Sequence, residues 1–191
     1  MKKQLIKTFT IFGFLFTLLI ASSYAQSGNE VSQSAVSYLA RANENYEKGN
    51  LEAAIADYDI SLTFAPRWSI AYLGRGIAKK DKGDLDGAIA DYSKAIELDP
   101  SYAKTYYNRA LAEQLKGELN KALADFNKAI ELSPNWGWAY NNRGAVFYAQ
   151  GKLELAIADY TRAIKFEPRM AEAYNNRAIA LLESDNHEAA I

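Results

Sequence analysis

An all-α solenoid of helix-turn-helix units is the fold class this 191-residue sequence predicts, and three observations carry the prediction. The four prolines, Pro66, Pro100, Pro134 and Pro168, follow one another at a constant step. Gly49, Gly83, Gly117 and Gly151 keep the same step, as do Tyr38, Tyr72, Tyr106, Tyr140 and Tyr174. Within one unit Leu85, Ala88, Ile89, Tyr92, Ala95 and Ile96 recur at intervals of three and four, the spacing of a single helix face.

The elements of a unit follow in order. A first helix carries Tyr72, Arg75 and Gly76, and Gly83 stands where a helix can end in a left-handed turn without steric penalty. A second helix follows, and Pro100 stops it. Neither helix can bury its apolar stripe alone, so neighbouring units must stack. Full units are expected at residues 35–68, 69–102, 103–136 and 137–170, with a partial fifth over 171–191. Ile191 aligns with Ile55, Ile89, Leu123 and Ile157, at the start of a second helix. Length favours one compact domain. Gly74, Gly76 and Gly87 fall inside helices, each costing up to about 1 kcal/mol against alanine, which predicts a soft second unit.

Residues 1–34 read differently. Lys2, Lys3 and Lys7 precede an apolar run from Phe9 to Ile20, and Ser23-Tyr24-Ala25 supplies small residues ahead of Gln26. This is the pattern of a secretory signal over residues 1–25, cleaved after Ala25. The alternative, a retained anchor, needs roughly 17 to 20 apolar residues to cross a bilayer. Residues 26–34 are polar and aperiodic and read as a linker. The sequence contains no cysteine, which excludes a lipoprotein anchor, disulfides and thiol chemistry. Loss of three lysines with the signal leaves 19 basic against 23 acidic residues, a net charge of −4. Charges of both signs are interspersed, so nothing points to nucleic acid.

Tyr-x-x-Arg-Gly/Ala on the first helix, Gly at the turn, Ala-Ile-x-Asp-Tyr on the second helix and a closing Pro, all recurring at the proline step, resemble the tetratricopeptide repeat from Ala35 to Ile191. The resemblance implies a right-handed α-solenoid whose first helices line a concave groove, and a scaffold that mediates protein-protein interaction. One departure is systematic. Where the family carries a large aromatic, one turn after the small residue of the first helix, this chain has Asn45, Lys79, Glu113, Phe147 and Leu181, which predicts looser packing in the first three units.

Arg41, Arg75, Arg109, Arg143 and Arg177 share one position of the first helix, and Asp57, Asp91, Asp125 and Asp159 share one position of the second. A charge on the packed side of a helix is costly unless paired, so Arg41 with Asp57, Arg75 with Asp91, Arg109 with Asp125 and Arg143 with Asp159 are expected as structural ion pairs. The competing reading is an arginine ladder gripping an acidic ligand. Asn108, Asn142 and Asn176, with Asn141 and Asn175 beside them, occupy positions that the resemblance turns toward the groove. An amide offers both a donor and an acceptor, so such a row can hold the backbone of an extended peptide. Alternatively, asparagine merely tolerates solvent there. By the same resemblance Leu39, Tyr46, Leu73, Ile77, Tyr107, Leu111, Leu115, Trp138 and Tyr148 form an apolar groove floor, with Trp138 as the anchor or else packed against Trp136 or the next helix. Trp68, Tyr102, Trp136 and Met170 each stand second after a proline and are expected to plug the joints between units. The cationic clamp with which some family members hold chaperone tails is not visible: Leu39, Asn43, Gly74, Lys104 and Asn108 stand at its positions.

His187 is the single histidine, and no glycine-rich phosphate loop interrupts the helices, so no enzyme, metal site or cofactor is expected. The expected function is an exported scaffold or adaptor, periplasmic or secreted and without a stable membrane anchor, which binds an extended peptide or a partner helix. The alternative is a structural or assembly segment of a larger cell-envelope protein truncated at residue 191. Self-association through an uncapped last unit, by the face carrying Tyr174, Ala178 and Leu181, is a further expectation.

Overall fold

The computed structural model describes residues 32–184. The expected signal peptide, most of the linker, His187 and the end of the fifth unit lie outside the described residues. Among those described, nine helices and no strands are found: α1 (Gln33–Glu47), α2 (Leu51–Phe64), α3 (Ser69–Lys82), α4 (Leu85–Leu98), α5 (Ala103–Leu115), α6 (Leu119–Leu132), α7 (Gly137–Ala149), α8 (Leu153–Phe166) and α9 (Ala171–Glu183). The helical-repeat solenoid fold class is therefore observed. The chain divides between Leu98 and Asp99 into two compact units. The first holds the hairpins α1–α2 and α3–α4; the second holds α5–α6, α7–α8 and α9. This differs from the one compact domain that length alone favours. A repeat array packs each helix only on near neighbours, so its core forms as separate clusters along the chain instead of one centre.

Each hairpin is made by the same turn. Gly49, Gly83, Gly117 and Gly151 all have positive φ, between 71° and 94°. In every case the glycine N–H donates to the carbonyl three residues back, and the next N–H reaches five residues back. Thus Gly49 bonds Tyr46 at 2.9 Å and Asn50 bonds Asn45 at 2.9 Å, with Gly83/Asp84, Gly117/Glu118 and Gly151/Lys152 repeating the pattern. These are Schellman closures, which satisfy the carbonyls a helix end leaves open. The second helix starts at once, so the two helices must lie antiparallel and share an interface.

Helix α1 begins two residues earlier than the polar character of its sequence suggests. Ser32 accepts a hydrogen bond from the Ala35 N–H at 3.2 Å, and this cap draws Gln33 and Ser34, read from sequence as linker, into the first turn. The other first helices start without a side-chain cap. Trp68, Tyr102, Trp136 and Met170 precede them in extended or near-extended backbone. Trp68 and Met170 are buried as expected, whereas Tyr102 and Trp136 are only partly covered.

The helix glycines mark close approaches. A methyl group on Gly74 would stand 2.6 Å from the ring of Tyr58, and one on Gly76 equally close to the ring of Tyr92. The second hairpin therefore draws packing from the residues that lower its helix propensity. Gly87 leaves room for Asp84, whose carboxylate caps α4 by accepting the Gly87 N–H at 2.9 Å. The two tyrosines differ in one respect. The Tyr58 hydroxyl donates to Asn43, while the buried Tyr92 hydroxyl has no partner because Ile77 stands at the matching repeat position.

Two stability predictions follow from this packing. Gly83→Ala meets no atom within 4 Å, so its cost is that of a left-handed alanine alone, about 1 kcal/mol in urea unfolding. Tyr58→Phe lowers stability by about 1 kcal/mol, and Tyr92→Phe leaves it unchanged or raises it, since only the former loses a hydrogen bond.

Candidate functional site

The interior of each hairpin is held by charge. Arg41 donates from Nε to Asp57 Oδ2 at 2.8 Å and from a terminal nitrogen to Oδ1. Arg75 repeats this on Asp91. Arg109 does so on Asp125 at 2.6 and 2.9 Å, and Arg143 on Asp159 at 2.7 and 2.8 Å. The four aspartates are buried, so each carboxylate depends on this two-point bond for its charge to be tolerated. The hydrogen bonds from Arg41 hold the Asp57 carboxyl below the ordinary aspartate range. The remaining guanidinium nitrogen reaches the preceding hairpin: Arg75 donates to Asp59 at 2.6 Å and Arg143 to Asn127 at 2.7 Å. Arg41, Arg75, Arg109, Arg143 and Arg177 also lie over the rings of Tyr38, Tyr72, Tyr106, Tyr140 and Tyr174, one helical turn earlier. The geometry places the first four guanidiniums between helices, facing aspartate.

The position one turn beyond each arginine corrects the expectation of loose packing. Asn45 donates to Asp57 at 2.9 Å, Lys79 reaches Asp91 at 2.8 Å, and the Phe147 ring lies under the Arg143 guanidinium at 5.7 Å. Asn45 and Lys79 replace the aromatic there with donors that complete the clamp. Glu113, at the same position of α5, is buried.

Residues 99–184 bring the candidate groove residues together on α5, α7 and α9. Asn142 donates to the Tyr107 hydroxyl at 2.8 Å and to the Trp138 carbonyl at 3.0 Å. Asn176 donates to Asn141 at 3.2 Å, and Asn141 to Glu172 at 3.1 Å. Tyr148 donates to Glu183 at 2.5 Å. Most of these bonds span one repeat plus one residue, so they join first helix to first helix and define a common side. On that side Trp138 is 44% exposed and Leu115 66%, with Ile179 and Leu182 also open. Trp138 shares its helix face with Asn142 and Ala145, Leu115 with Leu111, and Ile179 with Asn175 and Leu182. Asn175 is exposed.

Several assigned residues belong to the interior instead. Asn141 is fully buried and acts as a polar rivet between α7 and α9; Asn108 is buried and turns back to the Lys104 carbonyl at 2.7 Å. Neither amide is presented as a row for a peptide, because each is consumed by a neighbour on its own or the next helix. The Tyr107 ring packs on Trp136 at 4.4 Å and edge-on to Phe126, so only its hydroxyl end meets the face. Leu111 is partly covered against the core containing Phe126 and Val146. Leu39 and Leu73, expected on the groove floor, are buried core. The alternative placement of Trp138 against Trp136 gives way to Tyr107 in that role. Sequence reasoning does not single out Glu172, Glu183, Ile179 or Leu182; Glu172 lies one repeat after Trp138, a register that could have found it.

The family model described as TPR repeat matches residues 76–114, 112–151 and 144–185. The chain belongs to the tetratricopeptide-repeat (TPR) family. Among solved structures, MamA protein is 25% identical with a TM-score of 0.75, covering 83% of this chain and 86% of that one. The first TPR domain of Spaghetti (RPAP3), bound to the HSP90 peptide SRMEEVD, is 31% identical with a TM-score of 0.60, covering 61% and 93%. YrrB, a TPR protein with an unusual peptide-binding site, shares the fold at 24% identity and a TM-score of 0.69, covering 88% and 86%. No curated protein sequence matches the chain significantly.

The TPR clamp predicts a graded response. Arg143→Ala leaves Asp159 buried beside an exposed i+3 partner only, and lowers stability by about 3 kcal/mol in urea unfolding. Arg41→Ala, where the arginine side chain is 57% exposed, has a distinctly smaller effect.

Proposed function

We propose that this TPR protein is an exported scaffold that binds an extended peptide or a partner helix on the side formed by α5, α7 and α9. The observation that carries the reading is Trp138. A half-exposed tryptophan is costly to leave in water and is the side chain most enriched at the energetic centre of protein interfaces. Leu115, Ile179 and Leu182 extend the apolar surface on neighbouring first helices, and the exposed Asn175 offers an amide along it, with Asn142 and Asn176 already donating to Tyr107 and Asn141. That combination suits a ligand anchored by apolar side chains, with its main chain held by hydrogen bonds. The peptide-bound RPAP3 domain and the peptide-binding site of YrrB support a peptide as the ligand.

Export rests on the sequence of residues 1–25, and no helix among the described residues is long and apolar enough to cross a membrane. The compartment proposed is the periplasm or the extracellular medium. Intact-mass analysis of the chain exported by a bacterial host is expected to show Gln26 as the first residue; a mass retaining residues 1–25 would overturn that part.

Binding is tested by capture from envelope extract with residues 26–191, beside a Tyr107→Ala, Trp138→Ala, Asn142→Ala variant of equal helicity by circular dichroism. A directly bound partner is expected to lose at least about tenfold in affinity to the variant, Trp138 supplying most of the loss. Equal retention by both proteins would place the function elsewhere on the surface.

A further inference from the structure

One member of the clamp series has the wrong charge for its place. Beyond the arginine of α1 stands Asn45, and beyond that of α3 stands Lys79; both present hydrogen-bond donors to the clamp aspartate. Beyond Arg109 on α5 stands Glu113. Ionised, it sets a second negative charge near Asp125, whose two oxygens already accept the Nε and a terminal nitrogen of Arg109. Glu113 is 5% exposed, and its Oε2 is shielded from solvent without a hydrogen-bond partner. A buried carboxylate with an unsatisfied oxygen beside a like charge is among the costlier arrangements in a protein interior. Protonated, the same side chain is neutral and sets no charge against Asp125.

We propose that Glu113 is a proton-operated latch on the α5–α6 hairpin: neutral, it lets the clamp close, and ionised, it loosens α5 together with the binding residues Tyr107, Leu111 and Leu115 on that helix.

The surrounding cations Arg109 and Lys121 oppose the effect without outweighing burial and Asp125. Arg109 on α5 is engaged by Asp125, and Lys121 on α6 is bridged to Glu118 at 2.8 Å, as Lys116 is at 3.3 Å. Burial first, and the charge of Asp125 second, push the Glu113 carboxyl up to about 7. In the unfolded chain it titrates near 4.5. The folded state therefore holds the proton longer. The associated stability is complete below about pH 4.5, falls as pH rises to about 7, and is level above that. Asp57, held low by Arg41, loses its contribution only at the acid end, below the ordinary aspartate range, so the two effects occupy separate pH windows. The latch acts on the hairpin whether or not a partner is bound.

The test uses the full chain and its Glu113→Gln and Glu113→Lys variants. Carbon-detected NMR titration of the carboxyl groups is expected to show one signal, absent from both variants, with a midpoint near 7. Hydrogen-exchange protection factors of α5 and α6 amides are expected to fall at least about tenfold between pH 5 and pH 8 in the parent protein. Both variants should remain level over that range. A Glu113 midpoint near 4.5 overturns the proposal, as does unchanged protection at the two pH values or the same decline in Glu113→Gln. The titration of the parent protein decides the matter alone should a variant fail to fold.

Discussion

A guanidinium lying between two helices and gripping a buried aspartate with two hydrogen bonds is the interaction on which the hairpins depend. The aspartate cannot be buried unless the arginine is there, and the arginine cannot hold its direction unless the second helix returns antiparallel at the right height. The glycine closure supplies that return. The arginine then gives its last nitrogen to the hairpin before it and its flat face to a tyrosine one turn earlier. One side chain thus ties three helices, and the tyrosine, arginine, aspartate and glycine of a unit form a single constraint.

With the arginines committed to the interior, the recognition proposed above would fall to what the first helices leave uncovered. In the second half of the chain that is a largely apolar surface around Trp138, with exposed Lys104 and Glu172 at the matching repeat positions of α5 and α9. Glu172 and Glu183 sit at its margin, each already accepting a hydrogen bond from α7. Used for the binding proposed above, such a surface would rely on shape and apolar fit more than on charge, and its contacts would tolerate salt better than those of an electrostatic clamp.

The hairpins and the arginine-aspartate pairs are legible in the sequence because each is written four or more times at a fixed step. The errors fall where a repeat position does different work in different units. Asn141 and Asn142 are neighbours of the same residue type, yet one is a buried rivet and the other reaches the face; helical rotation of about 100° between them decides this, and composition cannot. Leu39 and Tyr107 share a register position, but Leu39 is short enough to vanish into the core while the Tyr107 hydroxyl projects past it. Asn45, Lys79 and Glu113 look in the sequence like lost aromatics, since the aspartate that gives them a purpose lies on the helix that follows, beyond the glycine turn. Gly74 and Gly76 look like weak points because helix propensity is a local quantity, whereas the tyrosines they admit belong to the helices before and after, α2 and α4.

The short closures also govern how quickly the molecule can be made. Every pair of helices that packs within one half of the chain is adjacent or next but one in order. Contacts so local cost little loop-closure entropy, and chains dominated by them fold in microseconds to milliseconds. Synthesis of one repeat unit takes a few seconds at cellular rates. Each hairpin therefore has time to close and reopen many times before its successor is complete, and stacking on that successor then fixes it in place.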